Sequence, residues 1–224
     1  MFNEILDSTL TILKNELWKA IYETAIMLGI SFVLSLIFGS IFGFLLYLTS
    51  NKAFFQKPVL NKVVAGIINF IRSIPFIILV VFTLPFTFLL VGTKIGPVAA
   101  SVPLCITATV FLARLVEISL KEVDKGVIEA ALATGANTSL IIRKVLLVEA
   151  APGIVRGVTV TFISLIGFSA MAGMVGGGGI GNLAVQYGYY RYETGIMIFT
   201  IVILVIIVQL AQFIGDFIAK KLSH

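Results

Sequence analysis

The sequence predicts an all-α, polytopic membrane protein with about five transmembrane helices. Three observations carry that expectation. First, 59% of the 224 residues are hydrophobic and only 12% are charged, whereas a soluble domain is about half apolar and about a quarter charged. A soluble chain of this composition would have too little polar surface to cover its core. Second, the chain contains long runs free of Lys, Arg, Asp and Glu, and about 20 apolar helical residues cross about 30 Å of hydrocarbon. Third, the basic residues gather in alternate connections between those runs, as a topology signal does.

The elements follow in order. Residues 1–19 are read as an interfacial helix. Glu4, Asp7 and Glu16 interrupt the apolar positions, so a signal peptide is excluded. Leu6, Leu10, Leu13 and Leu17 recur at helical spacing, and Trp18 suits a membrane surface; a frayed tail is the alternative. Residues 20–220 are read as one transmembrane domain. Its charge-free runs are Thr24–Ser50, Ser73–Thr93, Ile95–Ala113, Gly157–Val175 and Thr194–Gly215. For the second span, Ser73 is the expected N-cap, with Pro75 in the first turn where a missing N–H costs little. Val63–Ile71 is too short to cross alone and is expected at the interface or as an inward extension. Gly39 with Gly43, and Gly153 with Gly157, are small-residue pairs that allow close helix packing.

Loop charge sets the orientation. Lys52, Lys57 and Lys62 in the first loop lie on one side with Arg114, Lys121, Lys125, Arg143, Lys144 and Arg156 in the third, and with Lys220 and Lys221 in the tail. Only Lys94 and Arg191 face them from the second and fourth loops. The basic side is cytoplasmic. The N-terminus is then outside and the C-terminus inside, which leaves Lys14 and Lys19 outside beside acidic neighbours.

A net charge of +5 and a pI near 9.4 are thereby accounted for without nucleic acid. The lone cysteine, Cys105, forms no intrachain disulfide, and the lone histidine is the terminal His224. No metal constellation, nucleophile–base pair or paired intramembrane carboxylate is present, so no enzyme is expected. Gly176, Gly178 and Gly181 satisfy G-x-G-x-x-G, but a dinucleotide site needs a preceding strand. The glycine run is either a flexible outer loop or an unwound segment at the mouth of a pathway, where irregular backbone is tolerated. Met171 and Met174, three apart, either line such a path or pack against lipid and protein. Arg114 and Glu117 are spaced to pair on one helix face.

The third loop, about residues 116–150, is the most informative polar stretch. It is too long for a simple connection. Val127–Ala133 is Ala-rich, Gly135 suits a position of positive φ after a helix, and Asn137 or Thr138 can cap a second helix running to Val148. Ala130 and Ala131 leave room for a partner to approach. Glu129-Ala130-Ala131, three residues, Gly135, nine residues and Val145-Leu146-Leu147 resemble the EAA loop of bacterial ABC importer permeases. That pattern is E-A-A, three residues, G, nine residues, I-x-L-P; Val145 replaces its isoleucine and Val148 its proline.

The resemblance is greatest to the methionine-uptake permeases. It runs through Ile71-Arg72-Ser73-Ile74-Pro75-Phe76, Pro85-Phe86-Thr87, Val91-Gly92-Thr93, Ile142-Arg143-Lys144, Ser169-Ala170-Met171 and Gln186-Tyr187-Gly188-Tyr189. It implies a type I ABC importer transmembrane domain, in the cell membrane of a bacterium, that carries D- and L-methionine by alternating access. It further implies a second copy of the chain, two ATPase subunits that hold ATP and Mg, an external substrate-binding protein, and no cofactor on the chain itself. Glu129, Ala130, Ala131, Gly135, Ala136 and Arg143 become the ATPase-coupling residues. Ser73, Pro75, Ser169, Met171, Met174, Gly177 and Tyr187 become the expected pathway residues. An importer for another small solute, or a stand-alone membrane enzyme or channel, are the alternatives.

Overall fold

The computed structural model describes residues 2–51 and 54–223, without the side chains of residues 2–8. Lys52 and His224, and the side chains of Glu4, Leu6 and Asp7 named above, lie outside the described residues. The described chain is helical throughout: α1 (Phe2–Ser50), α2 (Pro58–Ser73), α3 (Phe76–Val91), α4 (Pro97–Lys121), α5 (Lys125–Ala133), α6 (Thr138–Ile141), α7 (Leu147–Ala172), α8 (Gly179–Leu183) and α9 (Thr194–Leu222), with π-helical turns at Ile142–Leu146, Gly173–Gly177 and Ala184–Tyr189. Among the described residues four helical stretches are long and apolar enough to cross a membrane, Thr9–Ser50, Pro97–Lys121, Thr138–Gly177 and Thr194–Leu222. The broken pair Pro58–Arg72 and Phe76–Val91 adds a fifth only when taken as one span.

The expected second span begins later than the capping rule suggested. The Ser73 hydroxyl donates to the Asn69 carbonyl, so Ser73 closes α2 instead of opening α3. Pro75 is itself the N-cap of α3, with extended backbone (φ −55°, ψ 134°) and no side-chain cap. The reason is that a residue before proline is driven out of the α region, so the chain breaks at Ile74. The 16 residues of α3 span only about 24 Å as a helix, less than the hydrocarbon thickness.

The helices divide into two compact units, Met1–Val33 with Ile74–Ala108 and Phe162–Ala211, and Leu34–Ser73 with Thr109–Thr161 and Gln212–His224. In the first unit, Met27, Leu104, Leu165 and Ala172 are buried together, flanked by the ring pairs Phe32–Phe162 and Phe76–Phe168. A second cluster joins Leu13 and Ala20 of α1 to Ile180, Leu183 and Ile196. This cluster bears on residues 9–19. The helix is present, but α1 runs through position 19 unbroken, and its stripe of Leu13, half-buried Leu17 and Ala20 packs on protein. Leu10 is exposed, and Trp18, 77% exposed, keeps the outward position expected of it.

In the second unit, Leu112, Val116, Leu120, Ile141 and Leu146 form one core cluster, and Leu46, Ile68, Val110 and Ala113 another. The small-residue pairs act here. A Cβ on Gly43 would lie 2.6 Å from Val116 Cβ and 2.8 Å from the Ala113 carbonyl, and one on Gly157 would lie 3.0 Å from Leu115 Cβ. The absence of a side chain is therefore what lets α1 and α7 approach α4 closely. The share of each apolar window that is buried is 56% for α4 but 11% for α9. α4 is thus largely buried, while the apolar residues of α9, such as Val205, Phe213 and Phe217, are exposed as lipid-facing residues are.

Candidate functional site

The third loop folds as the local rules require. The Asp124 carboxylate caps α5 by accepting from the Gly126 N–H at 2.6 Å. At the other end Gly135 takes φ +78°. Its N–H donates to Leu132 O at 3.0 Å, while the Ala136 N–H donates to Ala131 O at 3.3 Å. These are the two bonds of a Schellman turn, which uses a left-handed residue to satisfy the last carbonyls of a helix. Asn137, not Thr138, caps α6, its side-chain oxygen accepting from the Leu140 N–H at 2.9 Å. The second helix of the loop does not stop at Val148. It passes through the π turn Ile142–Leu146 into α7, so that the helix is continuous from Thr138 to Ala172. Pro152 lies within α7, and with valine at 148 no break occurs on the way into the membrane.

The six expected coupling residues separate by face. Glu129, Ala130, Gly135 and Arg143 are exposed, whereas Ala131 and Ala136 are half-buried against the cluster of Ile128, Ile141 and Leu146. Glu129 also borders a cavity of about 580 Å³ with Tyr47, Asn51, Lys121 and Lys125. Three large apolar residues beside them, Val127, Leu132 and Leu140, are 40–48% exposed. The sequence reading missed them. The available signal was an apolar side chain on the outward face of a short, polar-flanked helix.

Beneath the loop lies a charged cluster. Glu117, 3% exposed, accepts from Arg114 and from Lys121 Nζ at 2.7 Å. Arg114 also donates to the Asn69 side-chain oxygen of α2 at 3.0 Å. The expected Arg114–Glu117 pair is present within α4, with the carboxylate buried and Arg114 half-buried, and the exposed Arg114–Asn69 bond ties α4 to α2.

The glycine run in the first unit is unwound and docked. Val175 (φ −106°, ψ 26°) and Gly176 (φ 95°, ψ 10°) leave helical geometry, and Gly178 and Gly179 follow at φ 77° and 86°. The Gly96 N–H donates to Gly176 O at 2.8 Å. The Gly179 N–H donates to the Glu23 carboxylate at 2.7 Å, and the Ile180 N–H to the Thr24 hydroxyl at 2.9 Å. A Cβ at Gly177 would meet Ala100 Cβ at 2.9 Å. The segment is thus held on α1 and at the start of α4, unlike a flexible loop.

Of the expected pathway residues, Met171 and Met174 are exposed beside this break, and Gly177 is buried in it. Ser169 is buried, its hydroxyl donating within its own helix to Ile166 O. Tyr187 is half-buried, with the Arg191 guanidinium 4.5 Å from its ring centre. Ser73 and Pro75 flank the junction of α2 and α3, apart from the glycine run in sequence. No group of three or more His, Cys, Asp or Glu that could hold a metal occurs among the described residues.

Comparison with known proteins places this geometry. The family described as binding-protein-dependent transport system inner membrane component matches residues 35–224. A probable D-methionine transport system permease protein MetI of Vibrio cholerae is 44% identical over 207 residues, 92% of this chain and 90% of that protein. The methionine import system permease protein MetP of Bacillus subtilis is 50% identical over 205 residues, 92% of each chain. A chain of the solved structure described as inward facing conformations of the MetNI methionine ABC transporter superposes with a TM-score of 0.89 at 44% identity, covering 95% of this chain and 98% of that one. The multi-pass fold and the resemblance seen in the EAA loop are thereby confirmed, and this chain belongs to the family of binding-protein-dependent transport system inner membrane components.

Proposed function

We propose that the chain is the membrane-spanning permease of an ATP-driven importer for methionine, D- and L-, and close analogues. The observation that carries this is half identity to a methionine import permease over nine-tenths of both chains. The working assembly has two copies of this chain, two ATPase subunits that bind ATP and Mg, and an external binding protein that delivers substrate. The basic first and third connections and the tail face the cytoplasm, with the N-terminus outside. Residues 20–220 act as the transport domain, extended by the preceding helical residues from Phe2. Lipid covers the exposed apolar face of α9.

The chain carries out no covalent chemistry. The exposed Glu129, Ala130, Gly135 and Arg143, with Val127, Leu132 and Leu140 around them, form the surface on which the ATPase rests. Small side chains let its backbone come close, and the apolar neighbours supply contact area. ATP-driven closure of the ATPases moves the two loops, and α6 and α7, being continuous from Thr138 to Ala172, carry that motion into the membrane. Met171, Met174 and the unwound glycine run border the path. Affinity-tagged chain purified from membranes should retain an ATPase, and its deletion should remove methionine uptake. An isolated chain with no ATPase partner, and uptake unchanged on deletion, would refute the proposal.

A further inference from the structure

Two consecutive residues of α1 bind two consecutive amides of α8, 156 positions away. α8 has five residues and begins after Gly178, which offers no side chain to cap it. Its first N–H groups would otherwise lack partners, and an unmet donor at a partly buried helix start is costly. Glu23 and Thr24 satisfy them from outside the helix. The fit is close: a Cβ at Gly178 would land on the Glu23 carboxylate, and one at Gly179 would lie 2.6 Å from the Thr24 hydroxyl oxygen and 2.7 Å from Met27 Cε. Directly before these contacts the backbone leaves helical geometry at Val175 and Gly176. Consecutive glycines rotate there without the steric barrier a Cβ imposes. A break in the helical backbone is therefore fastened by polar bonds at one edge. Beyond the fastening, the side chains of Ile180 and Leu183 are buried in the apolar cluster with Leu13, Ala20 and Ile196.

We propose that Glu23 and Thr24 are positioning residues of the transport cycle. They form a latch that holds the glycine break against α1 while the outer end of the pathway is closed, and the latch releases when that end opens. This rests on the transport reading above. The test uses the whole assembly with its ATPase and binding protein in proteoliposomes. Amide hydrogen exchange is followed across residues 173–183, alongside methionine accumulated per ATP hydrolysed. In Glu23→Ala, exchange at Gly179, whose N–H donates to Glu23, should rise about tenfold, as loss of a hydrogen bond to a charged group implies. Accumulation per ATP should fall several-fold through leakage at an unlatched outer end, with the KM for methionine unchanged. Glu23→Gln keeps an acceptor oxygen at the same reach and should restore most of both. Wild-type values in Glu23→Ala would overturn the proposal. So would accelerated exchange throughout the chain, which marks a general loss of fold, or unlatched exchange with an unchanged transport ratio. Failure of the wild-type assembly to move methionine would sink the transport reading, while the exchange data would still decide whether the latch exists.

Discussion

Gly135 offers the cleanest separation of backbone conformation from contact. It sits at φ +78° with nothing within 4 Å of where a Cβ would be. A substitution there meets no neighbour, and its whole cost is the left-handed backbone, about 1–2 kcal/mol for an L-residue. That corresponds to a factor of about 5–30 in the population of a two-state turn. α5 has only nine residues and is too short to persist on its own, so the turn decides whether Glu129 and Ala130 are presented correctly. Initial rates of labelled methionine uptake, at matched amounts of protein in the membrane, should fall several-fold in Gly135→Ala. They should fall further in Gly135→Val, because a β-branched residue at positive φ is strained most. Gly135→Asn should stay near wild type, since asparagine visits this conformation routinely. Wild-type uptake in Gly135→Val would refute the coupling role. An asparagine variant as impaired as the valine one would refute the conformational explanation.

Other outcomes follow from the packing. Gly43→Ala forces a methyl onto Val116 and the Ala113 carbonyl and should lower the thermal midpoint in detergent, at a cost of about 1–3 kcal/mol; Gly29→Ala, with open space around it, should leave the midpoint unchanged or raise it slightly. Glu117→Ala leaves Arg114 without its carboxylate in a partly buried site and should destabilise by about 1–3 kcal/mol. Lys121→Ala should cost less, because the Lys121 side chain is 53% exposed against 4% for Glu117; equal losses would show that the cluster is not held by Glu117. Glu129→Lys should reduce the amount of ATPase that copurifies with the chain, and undiminished recovery together with normal uptake would make Glu129 a mere surface charge.

What the sequence made legible was local. Asn137 as a cap and Gly135 at positive φ involve atoms within a few residues of one another, so short-range rules suffice. The apolar runs were legible because lipid imposes one length scale on all of them. Competition between local rules misplaced the start of α3: Ser73 is a good cap, but the restriction that Pro75 places on Ile74 ends the preceding helix first. Long-range partners were not legible. The stripe on residues 1–19 reads as facing the membrane surface, and nothing near it in sequence points to Ile180, Leu183 and Ile196, against which Leu13 and Ala20 pack. Likewise four successive glycines announce irregular backbone, but nothing near them in sequence points to Glu23 and Thr24.

The most direct test of the central claim is uptake of labelled L-methionine in cells with and without this chain, with unlabelled amino acids as competitors. Removal of the chain should abolish a high-affinity component that D-methionine, L-methionine and close analogues compete for and that other amino acids leave untouched. Methionine uptake that persists unchanged without the chain, or a lost component that unrelated amino acids compete for equally, would contradict its assignment as a methionine permease.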